Sequence, residues 1–361
     1  MERELLLLTD YRGEYWVRHR RTAITTDLAR LAAHLRPHGL RLRVQPFTAL
    51  DFRACDYRDV PVLYQSSQDP GLFYKGYIED QVLGLERAGA QLIPRFELFR
   101  AHHNKVFMEI LRDQSELPEL HSLRARAYGT YEDFLRDAEH LDYPIVLKLA
   151  EGDTARGVTR ADNASQARRA AARLSRSIDP RDAWQNLERA LRRTGIRPHS
   201  LHRRKLIAQR FVPGLDHDFK IVALADRLFV MRRPARAGDF RASGSHAPRA
   251  YPQAPPAGLL DFAYRIFRSF RAPFASIDVL HDGHSFYLGE IQFLRFGTGP
   301  VHRAPHHFQR LPDGSWQLRE GRSEWERMLA AGIACHLARS EANLGRAAPA
   351  QDKEAWVLDP R

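Results

Sequence analysis

LDYPIVLKLAEGDTARGV, residues 141–158, combines a predicted strand, a lysine and a glycine-containing loop. The segment Tyr143–Leu149 predicts a short strand, because a turn-forming Tyr-Pro pair precedes an apolar run. Lys148 lies inside that run, where lysine is rare unless its ammonium group has a partner. The loop that follows holds two glycines, which let backbone N–H groups approach an anion. Two interpretations stay open: a phosphate-binding loop, or an ordinary solvent loop after a strand with a solvent-directed lysine. Taken alone, the stretch favours the second.

The composition limits the class of protein. The chain has 361 residues, enough for two or three domains, and its 43% hydrophobic and 28% charged residues are typical of a globular protein. No apolar run approaches transmembrane length, and Leu5–Leu8 is too short for a signal-peptide core. Cys55 and Cys335 are its two cysteines, so we expect no disulfide framework and a cytoplasmic location.

The net charge of +12 is carried mostly by arginine. A basic surface can serve nucleic acid, an anionic membrane or a polyanionic substrate. The sequence shows no basic tail, zinc finger or aromatic-plus-basic motif, and the arginines of Gln166–Arg176 fit a solvated helix face. We therefore expect no membrane partner and no nucleic-acid partner.

The first 95 residues or so alternate strands and helices, which indicates a small parallel α/β domain. Its predicted elements are Glu4–Thr9, Thr26–Leu35, Leu40–Phe47, Asp59–Tyr64, Gly76–Ala88 and Gln91–Pro94. Ligands of such sheets bind beyond the carboxyl ends of the strands. The residues at such positions are Asp10, Tyr11, Arg12, Gln65, Ser66, Ser67, Tyr74 and Lys75. Each of them could equally be an ordinary loop residue.

The remainder of the chain predicts further helices and strands, with a basic connection over His121–Thr130. Ser165 is the predicted N-cap of one helix. The predicted helices are Glu97–Arg112, Tyr131–His140, Ser165–Ile178, Asp179–Arg193, Gly258–Phe270 and Ser323–Ala342. The predicted strands are Tyr143–Leu149, Lys205–Val212, Asp218–Ala225, Arg227–Arg233, Phe274–Leu280 and Ser285–Phe293. The turn Ala225-Asp226 predicts a hairpin.

The last two strands carry polar residues among apolar ones. Alternation places Glu290 and Gln292 on one face of their strand. Asp278 shares that face only if the connecting loop has an odd number of residues or a β-bulge intervenes, because a tight turn at Asp282-Gly283 would oppose them. Two carboxylates and an amide would then form a hard-oxygen site suited to Mg²⁺. The alternative is a half-exposed hairpin whose charged residues point to water.

The motifs follow one another in a fixed order along the chain. They are Asn104-Lys105, the YPIVLK strand with the loop Gly152–Val158, then QRFV, DFK, RR, DFR and IDV…GEIQ. Over roughly Asn104–Thr298 this order resembles the ATP-grasp superfamily, in particular its glutamate-ligase (RimK-type) and D-alanine–D-alanine ligase-like members. The resemblance implies an α/β (α+β ATP-grasp) fold: a small N-terminal parallel α/β domain over 1–95, which precedes the two-lobed domain as a substrate domain. A linker helix and first lobe would cover 96–212, a second lobe 213–342, and a tail 343–361.

The resemblance also implies roles for individual residues. Lys105 and Lys148 match the two lysines that bind the phosphates of ATP, and the loop Gly152–Val158 matches the lid over them. Gln209 begins the strand that lies against adenine, at a position where an acidic residue is common. The remaining nucleotide-binding matches are Gly152, Thr154, Arg156, Gly157, Arg210, Phe211, Val212, Asp218 and Lys220.

The metal and catalytic positions are likewise implied by the resemblance. Asp278 and Glu290 match the carboxylates that bridge Mg²⁺, and Gln292 stands where most members have Asn, so its amide oxygen is on a longer arm. Arg232 and Arg241 match basic residues near the transferred phosphate. Arg241 is the candidate for stabilising the oxyanion that develops.

The resemblance implies an ATP-dependent carboxylate–amine ligase that works through an acyl phosphate. The basic loops Thr194–Arg204 and Pro234–Arg249 suggest an acidic substrate, such as an amino acid, a peptide or an acidic saccharide. A kinase on the same scaffold, with a hydroxyl as phosphate acceptor, is the alternative. A nucleic-acid-binding protein is the third hypothesis and predicts steeply salt-dependent binding. The sequence gives no oligomeric state, although the helix Ser323–Ala342 could pack on a second copy.

Overall fold

A computed structural model provides the structure of the protein. It describes residues 2–16, 18–20, 22–67, 69–152, 157–192, 195–235 and 248–344. Three predicted site residues, Thr154, Arg156 and Arg241, lie outside the described residues, as does most of the predicted tail.

The described strands and helices largely follow the predicted order. The strands are β1 (Arg3–Thr9), β2 (Arg18–Arg20), β3 (Thr22–Ile24), β4 (Leu40–Pro46), β5 (Pro61–Leu63), β6 (Gln91–Ile93), β7 (Ala125–Tyr128), β8 (Ile145–Leu149), β9 (Val158–Ala161), β10 (Leu206–Arg210), β11 (His217–Leu224), β12 (Arg227–Pro234), β13 (Phe274–His281), β14 (Phe286–Gln292), β15 (His306–Arg310) and β16 (Trp316–Glu320). The helices are α1 (Leu28–Leu35), α2 (Phe73–Arg87), α3 (Phe96–Ala101), α4 (Lys105–Asp113), α5 (Tyr131–Asp137), α6 (Ala164–Ser175), α7 (Pro180–Arg192), α8 (Leu259–Ser269), α9 (Gly299–Arg303) and α10 (Trp325–Leu344).

The first sheet is parallel, with the strand order β4-β1-β5-β6. Its central strand β1 is a continuous apolar run, and Leu5–Leu8 are fully buried, which is the pattern of a strand covered on both faces. Helix α1 begins where the Asp27 side chain accepts two backbone N–H groups, and it buries Leu31 and Leu35. The predicted parallel α/β domain is confirmed.

The second sheet is antiparallel and contains the quoted stretch. Its order is β7-β10-β8-β9, so β8 is paired on both sides. Helix α6 packs against it through alanines such as Ala167 and Ala171. The predicted N-cap Ser165 is wrong, because the Asn163 side chain accepts the N–H of Gln166 and starts the helix earlier.

The third sheet is also antiparallel, with the order β14-β13-β11-β12-β15-β16. One face packs on α8, which buries Phe262 and Ile266. The opposite face packs partly on α10 and the first sheet, where Leu329 and Ile333 are fully buried. Packing on a second copy is therefore not needed to cover these α10 residues. The strands β2, β3, β7, β15 and β16 were not predicted, because each has only three to five residues, too few for a periodic pattern to be recognised.

The three sheets fall within the predicted segments 1–95, 96–212 and 213–342, and the domain boundaries themselves stay a prediction. Among the described residues, no helix has the length and apolar character needed to cross a membrane.

Candidate active site

Lys148 projects from β8, where it has an uncharged partner on the neighbouring strand. Its ammonium donates to Oε1 of Gln209 at 2.6 Å, and Nε2 of Gln209 donates to the carbonyl of Leu123 at 3.3 Å. Burial lowers the pKa of Lys148 to about 8; the charge of Glu290 opposes this shift and that of Lys105 adds to it. Burial therefore disfavours the charged form of Lys148.

Lys105 lies directly after a break between two helices. The sequence had predicted one continuous helix over Glu97–Arg112. The chain leaves the helical conformation after Ala101, with His103 at φ 55°, and Asn104 caps the new helix α4. The apolar pattern continues through both helices. The sequence therefore did not reveal the left-handed residue or the new N-cap between them.

The break places Lys105 against the quoted loop. Its backbone N–H donates to the carbonyl of Ala150 at 3.0 Å, and its ammonium donates to the carbonyl of Gly152 at 3.2 Å. The same ammonium lies 3.7 Å from Oε1 of Glu290. Lys105 thus joins the second sheet to the third.

Gly157 is the last residue of the loop, directly before β9. Its carbonyl accepts the N–H of Leu149 at 3.0 Å, and its φ of 73° lies in the left-handed region. A Cβ there would come within 2.8 Å of Leu149 Cδ1. Glycine is therefore required at this position.

A buried ion pair beneath the two lysines was missed by the sequence analysis. Arg112 lies 2.8 Å from Oε1 of Glu109 and also donates to the carbonyls of Leu120 and Leu123 at 2.9 and 2.6 Å. The spacing i, i+3 on α4 was the available signal, but it does not reveal burial. This pair ties α4 to the segment that carries the Leu123 carbonyl used by Gln209.

The carboxylates of the third sheet meet through a β-bulge. The pairs Asp278 with Glu290 and Ser276 with Gln292 are in register, and the register shifts between Asp278 and Val279. The connecting loop, residues 282–285, is even in length, so the bulge at Gly289 brings the carboxylates side by side. The predicted shared face is confirmed through the second of the two routes that the sequence left open.

Asp278 is held by two buried cations. Nη2 of Arg233 lies 2.8 Å from Oδ2 of Asp278, and the Lys220 ammonium lies 3.4 Å from Oδ1. Arg233 also donates to both carboxylate oxygens of Asp218 at 2.6 Å, and Lys220 donates to Ser276 at 2.6 Å. Burial opposes the ionisation of Asp278, but the charges of Arg233 and then Lys220 outweigh it and lower its pKa.

The structure does not bring Arg232 to this cluster. Adjacent residues of a strand point to opposite faces, so Arg233 faces Asp278 while Arg232 lies near His217 and Asp216, at 3.3 and 3.7 Å. The predicted hairpin contained the signal, because its turn pairs Asp218 with Arg233. Arg233 is the arginine that the RR motif contributes here.

The segment after β10 runs from the second sheet towards the third. The guanidinium of Arg160 lies 4.2 Å from the ring centroid of Phe211, and Val212 is buried. Arg210 is exposed, with its guanidinium 5.9 Å from the Tyr287 ring. These residues therefore lie where the two antiparallel sheets meet.

The predicted residues from both sheets line one cavity of about 30 Å³. Asn104, Lys105 and Lys148 contribute to it from one side, and Glu290 and Gln292 from the other. A space of this volume holds about one water molecule. Within the described part of the chain, no group of three or more His, Cys, Asp or Glu side chains is placed to hold a metal ion.

A parallel N-terminal domain is followed by two antiparallel sheets, with a lysine-lined cavity between them. This is the architecture that the sequence resemblance implies. No family model matches the chain, and a search of curated proteins found no match.

Several solved structures are similar to this chain in fold. A RimK-domain ATP-grasp protein from Sphaerobacter thermophilus DSM 20745 is 15% identical, with 92% of this chain and 98% of that chain covered and a TM-score of 0.48. The ATP-grasp ligase PsnB, complexed with a phosphomimetic precursor variant, Mg and ADP, is 12% identical with 92% and 98% covered and a TM-score of 0.48. D-alanine–D-alanine ligase from Bacillus anthracis is 12% identical, with 81% and 87% covered and a TM-score of 0.45. Likeness at this level assigns neither an activity nor a substrate.

The bulge at Gly289 provides a test of the site geometry. A Cβ on this residue would lie 3.2 Å from the backbone oxygen of Asp278 and 3.4 Å from Cγ of Leu280. We expect Gly289→Ala to lower the free energy of unfolding by about 1 kcal/mol, because the strands must separate slightly. Urea unfolding measures this. Gly299→Ala, where a Cβ meets nothing within 4 Å, is the control, and equal stability of the two variants would contradict the prediction.

Proposed function

We propose that this chain is an ATP-dependent carboxylate–amine ligase of the ATP-grasp type that works through an acyl phosphate. The observation that carries the proposal is the meeting of Lys105, Lys148 and Glu290 around one cavity between two sheets. Two ammonium groups suit a polyphosphate, and a neighbouring carboxylate suits the metal ion that accompanies it.

Both lysines can exchange weak partners for phosphate oxygens. Lys148 is bonded to the amide oxygen of Gln209 and Lys105 to the carbonyl of Gly152. A charge-assisted bond to phosphate is stronger than either. The loop residues Gly152, Thr154, Arg156 and Gly157 are proposed to complete the phosphate site.

The adenine site is proposed at the end of β10, where Phe211 and Val212 supply apolar contacts and backbone groups and Arg210 lies beside them. For Asp218 and Lys220 we propose a positioning role in place of the nucleotide contact that the resemblance implies. Both are committed to the buried cluster around Asp278, so they position that carboxylate rather than contact the nucleotide.

Asp278, Glu290 and Gln292 would hold Mg²⁺. Their hard oxygen donors share one face across the bulge, and the exposed Glu290 carboxylate has only a 3.7 Å contact with Lys105, so the donor set fits this ion. When bound, Mg²⁺ would neutralise negative charge on the transferred phosphoryl group. Arg233 and Lys220 fix Asp278 for that purpose.

The reaction has two steps. A substrate carboxylate oxygen attacks the γ-phosphorus, so that an O–P bond forms, the bond to the β-phosphate oxygen breaks and ADP leaves. An amine nitrogen then attacks the acyl carbon, so that a C–N bond forms, inorganic phosphate leaves and the amine loses a proton. Lys105 and Lys148 bind and orient the phosphates in the first step. Arg241 is the proposed donor to the oxyanion of the second step.

The acid is proposed to be an amino acid, a peptide or an acidic saccharide. The test is ADP release in the presence of Mg²⁺ against such a panel, with and without hydroxylamine, which traps acyl phosphates as hydroxamates. We expect ADP and a hydroxamate from the wild type and neither from Lys148→Ala or Glu290→Ala. The exposed Arg87→Ala variant is the control and should match the wild type.

Other outcomes separate the alternatives. ADP with a stable phosphorylated product and no hydroxamate would favour the kinase. Failure to bind ATP with any substrate present would overturn the proposal.

A further inference from the structure

Lys75 is a buried cation without an adequate counter-charge. It lies on α2, is 4% exposed and packs over the ring of Phe99 at 4.9 Å. Among the described residues its ammonium makes no hydrogen bond, and its nearest carboxylate is Glu79 at 3.9 Å. Glu79 is already paired with Arg100 at 2.8 Å. Burial lowers the pKa of Lys75, as expected for an ammonium group that has lost water without gaining a close anion.

His102 is the C-cap residue of α3, one turn beyond the Phe99 on which Lys75 packs. It is 2% exposed, and neither ring nitrogen has a hydrogen-bond partner in the described structure. Burial lowers its pKa well below the usual value, and the charges of His103, Lys75, Arg295 and Lys105 act in the same direction. Unfilled buried donors and acceptors are rare and call for an explanation.

Arg295 completes the group. It is half-buried, and it forms no ion pair or hydrogen bond with any described residue. Its φ of 41° lies in the left-handed region, which costs a non-glycine residue energy. Arg12, Asp10, Asp69 and Glu14 are near enough to influence its pKa, but Asp10 is already paired with Arg12 at 2.5 Å.

Lys75, His102 and Arg295 come from three separate parts of the chain that meet around Phe99. Lys75 packs on its ring, His102 ends the same helix, and Leu294, next to Arg295, belongs to the same buried cluster. Lys75 follows the carboxyl end of β5, Arg295 follows that of β14, and His102 lies in the break before α4. Ligands of open parallel sheets bind beyond the carboxyl ends of the strands, which is the position of Lys75 after β5. Burying cations without partners is energetically unfavourable, and an anionic ligand would remove that cost.

We propose that Lys75, His102 and Arg295 form a pocket for an oxyanion, a carboxylate or a phosphate, on the substrate. The proposal deepens the proposed function, on which its link to the acid substrate rests. A carboxylate held by two full cations is a poor nucleophile, so the pocket takes a second anionic group that does not react. The acid substrate is therefore at least dianionic.

The test is calorimetric titration of ADP-saturated protein with succinate, citrate and inorganic phosphate at constant ionic strength. Saturation with ADP removes the phosphate lysines from the measurement. We expect the wild type to bind at least one probe and Lys75→Met and Arg295→Met each to weaken that binding tenfold or more. Arg87→Gln, which removes an exposed charge from the same helix α2, should change it less than twofold. The preferred probe identifies the group as carboxylate or phosphate.

Equal binding by all four proteins, or no binding by the wild type, would overturn the pocket. Thermal unfolding provides a second readout that does not need the ligand. We expect Lys75→Met to unfold at a higher temperature than the wild type without anion, because an unpaired buried cation is gone; a lower temperature would count against the pocket. Failure of ADP to bind would overturn the proposed function alone, since the comparison of Lys75→Met with wild type in nucleotide-free protein would still decide the pocket.

Discussion

The affinity of the wild-type protein for ADP should fall roughly tenfold between pH 7 and pH 9. The reason is Lys148, whose pKa burial lowers to about 8. Phosphate binds the protonated lysine, and the free protein loses this proton as the pH rises through the pKa. Above pH 8, binding must therefore recover a proton from solvent, which weakens it. Below pH 7 the lysine is already charged, and the affinity should level off.

Lys148→Arg is the matched control for this pH dependence. Arginine keeps its charge throughout this range, so the variant should bind ADP with little change from pH 7 to pH 9. Equilibrium titration with ADP in the absence of Mg²⁺ measures the lysine without interference from the metal site. The phosphate groups of ADP complete their own titration near pH 6–7, so they do not produce the fall. An identical fall in wild type and Lys148→Arg would assign it to another group.

The sequence was most informative where the chemistry is local. Lys148 within an apolar run and the glycines after it are features of one short stretch, and β8 forms within the predicted segment Tyr143–Leu149. The bulge that pairs Asp278 with Glu290 could be stated beforehand as one of two routes, because side-chain alternation leaves few ways to place both on one face. What the sequence could not decide was which route the chain takes.

Contacts between residues far apart in the sequence were the features that the sequence analysis could least predict. Arg232 and Arg233 are adjacent, and the resemblance gave no reason to choose between them, although the hairpin register did. The burial of Lys75 and of the pair Glu109–Arg112 depends on contacts between elements far apart in sequence. No local sequence pattern indicates that a charged side chain is buried away from water. For this reason Lys75 was predicted only as one of eight residues that follow the strands of the first domain.

Asp278→Asn should lower the free energy of unfolding by about 3–5 kcal/mol, whereas Glu290→Gln should change it by less than about 1 kcal/mol. Both should abolish ADP release, so activity alone cannot separate them. Asp278 is the counter-charge of buried Arg233 and Lys220, at 2.8 and 3.4 Å. Its neutralisation leaves the buried cluster with one excess positive charge, because Asp218 alone then faces Arg233 and Lys220. Glu290 is 42% exposed and has only a 3.7 Å contact with Lys105.

Urea unfolding of both variants measures the difference. A second substitution shows whether the cluster is the cause. In the double variant Asp278→Asn with Arg233→Met, the excess positive charge is gone, and we expect a smaller loss than the sum of the two single losses. Asp218 then loses its partner as well, so the recovery is partial. Additive losses would mean that Arg233 and Asp278 stabilise the protein independently. In that case the fixed position of Asp278, on which the proposed metal site depends, would need another origin.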